Sequence, residues 1–492
     1  MESEPIEEYS EIKQKFEDAE QGHVSKYYDE YTEEEKDKFL EQCRQVDLDE
    51  INKLYKEVCV NKVHEDNSSG EINPVDRDSI HNLADLDEET KQKWTLTGAR
   101  QINKGKVGLL VLAGGMGSRL GSNDPKGMYN IGLPSNKSIF QVIAERFKRV
   151  QRYSTECCQR AGENCAPRYL CMLYIMTSNL NHETTIKYFK DNNYFGIKED
   201  KIMFFMQSSI PTITFEGKIM LETRKSLSLC PNGNGALFKS LATNQDLQES
   251  LKNNSVEYIH IVGVDNILNK FLDPLQVGLT YENSLKGSSK FIQKAYPTEP
   301  IGVFVMKGKV LDIIEYTELG EDMSNETLES GEIKYNQGNI VNFLLSVEML
   351  NELCTGKSQA LNSLYHCAIK KIPEYNEEKD TTEKPDENNG YKLELFVQSF
   401  LPYVEGEYML IEGIRAEEFA PVKNKEGTPK DSPTTAREMI SKLHASWVKN
   451  TFPDVEFNEE PSESFVVELP FDLTYQGENI ALDMISEDLI KK

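Results

Sequence analysis

The sequence of 492 residues lacks a long apolar run and an excess of positive charge. No apolar stretch approaches the roughly 20 residues that a membrane-spanning helix needs. The N-terminus, MESEPIEEYSEIKQKFEDAEQ, has no apolar segment of the kind found in secretory signals. The formal net charge of −27 argues against nonspecific nucleic-acid binding, which requires a basic surface. We therefore expect a cytoplasmic protein that binds neither membranes nor nucleic acids.

The familiar catalytic and metal-binding motifs are also missing. The 9 cysteines have no metal-finger spacing, and their odd number favours free thiols in a reducing compartment. The 7 histidines form no Ser-His-Asp arrangement. His260, in an apolar strand, and His444, in a helical pattern, are interpreted as core residues rather than catalysts.

The patterns along the chain predict three parts. Residues 1–102 are highly charged with apolar positions at helical spacing, which predicts a helical N-terminal domain. Residues 103–420 alternate apolar strands, at 107–112, 170–176, 202–206 and 258–264, with amphipathic helices such as 138–152. This alternation predicts a mostly parallel sheet. Residues 421–492 form a small C-terminal domain with a helix followed by short β-like stretches.

The most informative stretch is 107-VGLLVLAGGMGSRLGSNDPKGMYNIGLP-134. A buried-looking strand leads directly into a glycine-rich loop, whose bare backbone lets a ligand approach its N–H groups. Arg119 and Lys126 add positive charge, which favours phosphate binding. The loop is not a Walker loop, because no Gly-Lys-Ser/Thr follows at the required spacing. It is not the dinucleotide fingerprint either, since the next good helix begins only near Ser138.

Three further segments are candidates on weaker grounds. Asp265 ends the strand 258–264, where a buried carboxylate needs a partner such as Mg²⁺, a base or a nearby N–H. Its position opposite a phosphate loop favours the metal. The segment 231-PNGNGALF-238 is a second backbone-permissive loop entering a helix, and Lys423 lies in a late loop. Taken singly, each of these segments could equally be an ordinary turn or a solvated side chain.

Taken together, the segments resemble the eukaryotic UDP-N-acetylhexosamine (UDP-N-acetylglucosamine) pyrophosphorylase family. The resemblance begins with LAGGMGSRLGSNDPKGMYNIGLPS and covers about 330 residues in the right order. It continues through a series of shorter matches: 194-YFGIKEDKIMFFMQ-207, 231-PNGNGALF-238, 258-YIHIVGVDNIL-268, 297-PTEPIG-302, 315-EYTE-318, 338-GNI-340, 417-EEFAPVKN-424 and 431-DSPTTAR-437.

The resemblance implies an α/β fold, in which a Rossmann-like nucleotidyltransferase domain lies between a helical N-terminal and a small β-rich C-terminal domain. It also implies that UTP and N-acetylglucosamine-1-phosphate, an N-acetylhexosamine-1-phosphate, give UDP-N-acetylglucosamine and pyrophosphate with Mg²⁺. No protein nucleophile is needed, because the sugar phosphate attacks the α-phosphate of UTP in line. Positioning and charge neutralisation would then carry the catalysis.

The family's functional residues can be placed on matching positions of this chain. The phosphate-binding, catalytic cations would be Arg119, Lys126 and Lys423. The nucleotide would be bound by Gly114, Gly115, Gln207 and Gly233. The sugar would be bound by Asn234, Glu315, Asn339 and Phe396. Asp265 would be the metal ligand.

The chain departs from the family pattern at three places, of which the one at Gln398, expected beside the sugar pocket, leaves sugar preference open. Met116 replaces the usual glutamine of the glycine loop, PNGNGA stands where PDGNGG is common, and Gln398 occupies the place of an aromatic residue. The alternatives are a UDP-glucose or broad-specificity UDP-sugar pyrophosphorylase, and an inactive UDP-sugar-binding protein. UDP-glucose pyrophosphorylases usually lack a residue like Arg119 in this loop, which disfavours a UDP-glucose pyrophosphorylase, whereas the broad-specificity enzyme stays an alternative.

Overall fold

The computed structural model describes residues 4–61, 71–77, 80–355, 365–404 and 406–491. The chain divides into two compact units, each assembled from three separate segments. The first unit comprises 1–70, 207–242 and 353–400, and the second comprises 71–206, 243–352 and 401–492. The predicted division into three consecutive domains, with boundaries at residues 102 and 420, stays a prediction.

The second unit contains an 11-stranded sheet. Its main path places eight strands side by side in the order Ile80–Asn82, Tyr408–Glu412, Gly287–Gln293, Gln337–Ser346, Tyr258–Gly263, Val107–Leu112, Leu173–Thr177 and Ile202–Met206. Every neighbouring pair on this path is parallel except the two that involve Gln337–Ser346. Three more strands, Ile72–Pro74, Val303–Lys307 and Val310–Ile314, extend it through antiparallel pairs. The predicted mixed α/β fold with a mostly parallel sheet is confirmed.

Helices cover this sheet because the central strands are apolar on both faces. Val107–Leu112 is buried at every position, as parallel strands covered by helices are. The predicted helix at 138–152 is longer than expected, since it continues to Arg160 after Ser138 caps its first turn. The α-helices of this unit are Glu88–Asn103, Ile139–Arg160, His182–Asp191, Gln245–Asn253, Pro274–Glu282, Glu321–Ser324, Val347–Thr355, Arg415–Glu418 and Pro433–Thr451.

Four of the central strands lie near the positions that the sequence predicts, whereas others were not predicted. The strand predicted at 170–176 begins later, at Leu173. Ile72–Pro74 and Ile80–Asn82 were assigned to the helical N-terminal part, yet both join the central sheet. Each has only three residues, which is too short for a strand period to show in the sequence.

The first unit combines helices with small antiparallel sheets. Its helices include Glu4–Asp18, Glu33–Arg44, Leu48–Leu54, a π-helical segment Tyr55–Asn61 and Ala236–Thr243. Phe39, Leu40, Cys43, Ile51 and Leu54 are buried, as their helical spacing predicted. The strands are Ser209–Pro211 with Leu229–Pro231, Leu221–Thr223 with Ser226–Leu227, Glu374–Asn376 with Thr381–Glu383, and a three-stranded sheet of Tyr365–Lys370, Gly390–Leu395 and Ile213–Thr214.

The C-terminal segment differs from the sequence prediction in its secondary structure. After the helix Pro433–Thr451, the described residues contain 3₁₀ turns and one isolated bridge, Phe457 to Ile490, in place of the expected β-stretches. Apolar side chains such as Phe465, Val467 and Leu469 are buried, so packing rather than strand pairing explains the alternating pattern. Among the described residues, no helix has both the length and the apolar character needed to cross a membrane.

Candidate functional site

The glycine loop of the second unit follows the buried strand Val107–Leu112 and folds back on itself. The N–H of Gly117 donates to the carbonyl of Asp124 at 2.8 Å, and the N–H of Lys126 donates to the carbonyl of Gly115 at 3.1 Å. A Cβ at Gly115 would meet no heavy atom within 4 Å, so the space beside this backbone is open. The loop therefore presents bare main chain at the carboxyl end of a parallel strand, where α/β proteins bind ligands.

Two polar residues missed by the sequence analysis fix the start of this loop. Ser178 and Asn181 directly follow the neighbouring parallel strand Leu173–Thr177, and both are buried. The Ser178 hydroxyl donates to the carbonyl of Gly114 at 2.8 Å. The Asn181 amide donates to the carbonyl of Ala113 at 2.9 Å. Polar residues immediately after a buried parallel strand were the sequence signal that could have identified them.

Lys126 lies at the centre of a group of charged side chains. Burial lowers the pKa of Lys126, the nearby positive charges of Lys423 and Arg119 lower it further, and Asp265 opposes them. The three predicted phosphate-binding cations and the predicted metal ligand are therefore within electrostatic reach of one another. Three cations around a half-buried position suit an oligophosphate, whose charge would relieve their mutual repulsion.

Lys423 reaches this group because its segment is hydrogen-bonded to the Asp265 turn. The Asn266 side chain donates to the carbonyl of Glu418 at 2.8 Å and accepts from the N–H of Ala420 at 2.9 Å. On the other side of Lys423, its own N–H donates to the carbonyl of Asp431 at 2.7 Å. Asn266 is another positioning residue that the sequence analysis did not single out, although it adjoins Asp265 in VGVDN.

Asp431 adds a second carboxylate to this group. Burial raises the pKa of Asp431, Lys423 lowers it, and the charges of Glu299 and Asp265 raise it. Mg²⁺ prefers oxygen ligands and is often held by one or two carboxylates together with substrate phosphates. The oxygen donors of Asp265 and Asp431 fit such an ion, whereas neither thiol nor imidazole takes part in this group.

The predicted sugar residues of the second unit also lie close together. The N–H of Asn339 donates to the carbonyl of Gly302 at 2.8 Å. A Cβ built on Gly302 would lie 3.2 Å from Oε1 of Glu315. Glu315 and Asn339 therefore both adjoin Gly302, although they are far apart in sequence. The Asn339 side-chain oxygen accepts the N–H of Val341 at 2.9 Å, which fixes its orientation.

The first unit gathers the other predicted binding residues around a second glycine loop. Gly233 has a φ of +82°, and a Cβ there would lie 2.3 Å from the carbonyl oxygen of Leu395, so only glycine fits. The N–H of Val397 donates to the side-chain oxygen of Asn234 at 2.8 Å. Since Phe396 lies between Leu395 and Val397, the structure brings Gly233, Asn234 and Phe396 together.

Gln207 lies at the edge of the same group. It is buried at 8% exposure, and the N–H of Asn232 donates to the carbonyl of its neighbour, Ser208, at 3.0 Å. Asn232, which the sequence analysis did not select, also donates to the Tyr365 hydroxyl at 2.8 Å. Gln398 is buried as well, so this unit holds an amide where the resemblance led us to expect an aromatic side chain.

The predicted residues thus form one group in each unit. The second unit brings together Gly114, Gly115, Arg119, Lys126, Asp265 and Lys423, with Glu315 and Asn339 beside Gly302. The first unit brings together Gly233, Asn234 and Phe396, with Gln207 joined through the Ser208–Asn232 contact. The individual roles assigned to these side chains stay predictions.

A mostly parallel sheet with a glycine loop, clustered cations and a carboxylate at its carboxyl edge defines a nucleotide-binding α/β protein. A model of the UTP–glucose-1-phosphate uridylyltransferase family matches residues 48–430. The chain belongs to this family of UDP-sugar pyrophosphorylases.

Individual relatives agree with the resemblance seen in the motifs. The chain is 37% identical to UDP-N-acetylglucosamine diphosphorylase 2 of Arabidopsis thaliana over 439 residues, covering 88% of this chain and 84% of the relative. It is 35% identical to a probable UDP-N-acetylglucosamine pyrophosphorylase of Dictyostelium discoideum, covering 96% and 95%. The solved uridine diphosphate N-acetylglucosamine pyrophosphorylase of Trypanosoma brucei superposes with a TM-score of 0.81 at 27% identity, covering 96% and 94%. The predicted family is confirmed.

Proposed function

We propose that this protein is a uridylyltransferase that makes UDP-N-acetylglucosamine and pyrophosphate from UTP and N-acetylglucosamine-1-phosphate. The observation that carries the proposal is the group of Arg119, Lys126 and Lys423 beside the open glycine loop. Relatives whose names specify this activity support it over nearly the whole chain. The free thiols support a cytoplasmic location.

The proposed reaction is an in-line displacement at phosphorus. A phosphate oxygen of the sugar-1-phosphate attacks the α-phosphorus of UTP, and the bond to the β-phosphate oxygen breaks, so that pyrophosphate leaves. Arg119 holds the departing pyrophosphate, Lys126 holds the triphosphate, and Lys423 bridges the α- and sugar phosphates. Each cation thereby neutralises charge where it develops in the transition state.

We propose that Asp265, with Asp431 as the candidate second carboxylate, holds the Mg²⁺ that the reaction requires. When bound, Mg²⁺ neutralises phosphate charge and helps to orient the phosphates. The remaining work falls to the chain itself. Asn266 fixes the segment that carries Lys423, while Ser178 and Asn181 fix the glycine loop.

Two groups are candidates for sugar contacts, and each is assigned by itself: the Glu315–Asn339 pair in the second unit and the Asn234–Phe396 loop in the first unit. Asn234 has its side-chain oxygen committed to Val397, so its amide N–H₂ is the part that could donate to a ligand hydroxyl. Phe396 offers an apolar ring, which packs tilted against His366 at 4.7 Å between ring centroids. Buried Gln398 is the residue most able to alter sugar preference, because it replaces a ring with an amide.

The test is pyrophosphate release from purified protein with Mg²⁺ and UTP. N-acetylglucosamine-1-phosphate, N-acetylgalactosamine-1-phosphate and glucose-1-phosphate would be compared, with CTP and GTP as nucleotide controls. We expect rapid release with UTP and an N-acetylated sugar phosphate. A preference for glucose-1-phosphate would favour a UDP-glucose pyrophosphorylase, and UTP binding without release from any pair would indicate an inactive binding protein.

A further inference from the structure

Two cysteines of the first unit lie side by side although 308 positions separate them in sequence. Cys59 belongs to the π-helical segment Tyr55–Asn61, and Cys367 belongs to the strand Tyr365–Lys370. Their Sγ atoms are 2.7 Å apart, closer than two sulfur atoms in ordinary van der Waals contact. A disulfide bond measures roughly 2 Å, so only a small movement separates this pair from bond formation.

The surroundings of the two thiols differ in a way that suits thiol oxidation. Cys59 is buried at 1% exposure, whereas Cys367 is partly exposed. The hydrogen bond with Cys59 lowers the pKa of Cys367, and the same interaction raises the pKa of Cys59. Because Cys367 is the more exposed of the two thiols and the thiolate is the reactive form of cysteine, Cys367 is suited to meet an oxidant first and Cys59 to react second.

Another pair of thiols offers a comparison within the same chain. Cys158 and Cys165 lie with Glu163 in a group whose ligand atoms are within 4.8 Å of one another. Burial and the nearby Cys165 and Glu163 raise the pKa of Cys158 to about 12, which keeps it protonated. In this second pair the Cys158 thiol is held protonated although Cys165 is close, so the pair serves as an internal reference.

We propose that Cys59 and Cys367 form a reversible intramolecular disulfide when the protein meets a peroxide. The Cys367 thiolate attacks one peroxide oxygen, the O–O bond breaks, and hydroxide leaves, which gives a sulfenic acid at Cys367. The Cys59 sulfur then attacks the Cys367 sulfur; the S–O bond breaks, and the oxygen leaves as water with the Cys59 proton. Two thiols are oxidised by one peroxide, and an added dithiol reverses the step by exchange.

This inference is independent of the proposed enzymatic function, because it depends only on the geometry inside the first unit. The bridge would join the helical segment to the sheet strand that pairs with Gly390–Leu395, where Cys367 lies opposite Leu393. Cross-linking two such distant positions restricts the unfolded chain, so the oxidised protein is expected to unfold at a higher temperature.

The test treats the purified full-length protein with hydrogen peroxide, blocks remaining thiols with N-ethylmaleimide and maps peptides without reduction. We expect a peptide pair joined through Cys59 and Cys367, lighter by two hydrogen atoms and lost after dithiothreitol. In Cys59→Ser, a sulfenic acid should instead accumulate at Cys367 and be trapped by dimedone. Cys230→Ser, which removes another partly exposed thiol of the first unit, should leave the disulfide unchanged.

Two results would overturn the proposal. One is alkylation of both Cys59 and Cys367 at peroxide concentrations that already oxidise Cys158 or Cys165. The other is a sulfenic acid at Cys367 that persists in the wild-type protein as long as in Cys59→Ser.

Discussion

The backbone N–H of Val422 donates a hydrogen bond to the carbonyl of Asp265, with 2.9 Å between nitrogen and oxygen. This bond joins the end of a central strand to a late segment of the chain. Its consequence is that Lys423, the residue after Val422, lies beside the carboxylate-bearing turn and Lys126. The charged group is thus assembled by pairing of two turns, with Asn266 supplying the side-chain bonds.

Asn266→Ala should slow turnover without removing any group that is proposed to touch substrate. The substitution leaves the buried carbonyl of Glu418 and N–H of Ala420 without their partner, at a cost of about 1–3 kcal/mol each. Steady-state kinetics and thermal unfolding would measure both effects. Asn283→Ala, at an exposed helix end, is the matched control.

A double variant separates positioning from general damage. If Asn266 acts through Lys423, then Asn266→Ala combined with Lys423→Ala should be no slower than Lys423→Ala alone. Additive losses in rate would show that Asn266 does not act by placing Lys423.

Lys423→Ala should lower kcat by roughly 100-fold or more, because one charge-neutralising donor is lost from the transition state. Lys425→Ala is the control, since Lys425 is exposed two positions further along the same loop. Pyrophosphate release would give the rate, and circular dichroism would show that the fold is retained. A near-normal rate would remove Lys423 from the mechanism.

The sequence predicted the residues of the charged group better than the contacts that assemble it. Arg119, Lys126 and Asp265 belong to local motifs after apolar strands, and such motifs are visible as letters. Ser178, Asn181 and Asn266 also follow apolar strands, but their hydrogen-bond partners lie in segments far apart in sequence, and no local pattern identifies those partners. The division of the predicted residues between two units was equally hidden, because each unit is built from three separated segments.

In the C-terminal segment, by contrast, the sequence pattern suggested strands that the described residues do not contain. Its alternating apolar residues resembled strands, yet their side chains pack against the helix Pro433–Thr451 with little backbone pairing. Burial on one side gives the same sequence pattern whether or not a neighbouring strand is present. His260 and His444 were placed correctly in the core because each sits in an otherwise apolar pattern.

The pH dependence of kcat/KM for UTP should reflect the loss of the positive charge of Lys126. Because burial and its cationic neighbours lower the pKa of Lys126, the free enzyme should lose this charge at a lower pH than an exposed lysine would. The kcat/KM for UTP should therefore fall on the alkaline side, and Lys126→Arg should move that fall to higher pH. Lys423→Ala removes a positive neighbour, so it should also shift the fall upward. If the alkaline fall in kcat/KM were unchanged in both variants, it could not be assigned to Lys126.

Asp265→Asn should weaken the use of Mg²⁺. Loss of one anionic oxygen ligand should raise the Mg²⁺ concentration for half-maximal activity by about tenfold or more, if the lost interaction is worth roughly 1.4 kcal/mol. Magnesium titrations of pyrophosphate release would measure this shift at saturating UTP. Asp200→Asn, which removes an exposed carboxylate elsewhere in the second unit, should leave the titration unchanged, and an identical curve for Asp265→Asn would exclude it as a ligand.

His260 should make the protein lose stability in mild acid. Burial lowers the pKa of His260 to about 4, with Lys290 acting in the same direction, while the charge of Asp273 opposes the shift. The unfolded chain has an ordinary histidine pKa of about 6.5. Below that pH His260 binds a proton in the unfolded state but not in the folded state. The free energy of unfolding therefore falls as the pH falls. The loss should approach about 3 kcal/mol and level off below pH 4.

Urea unfolding between pH 7 and pH 4 would measure this slope. His260→Asn keeps an acceptor for the N–H of Leu272, which His260 Nδ1 accepts at 2.8 Å, and it cannot titrate. The variant should be less stable at pH 7 because it is smaller, yet its stability should depend less on pH. Buried His444, with its pKa lowered to about 3, contributes in the same sense, so a residual slope is expected. Parallel slopes for wild type and His260→Asn would show that His260 takes up its proton as readily in the folded protein as in the unfolded chain.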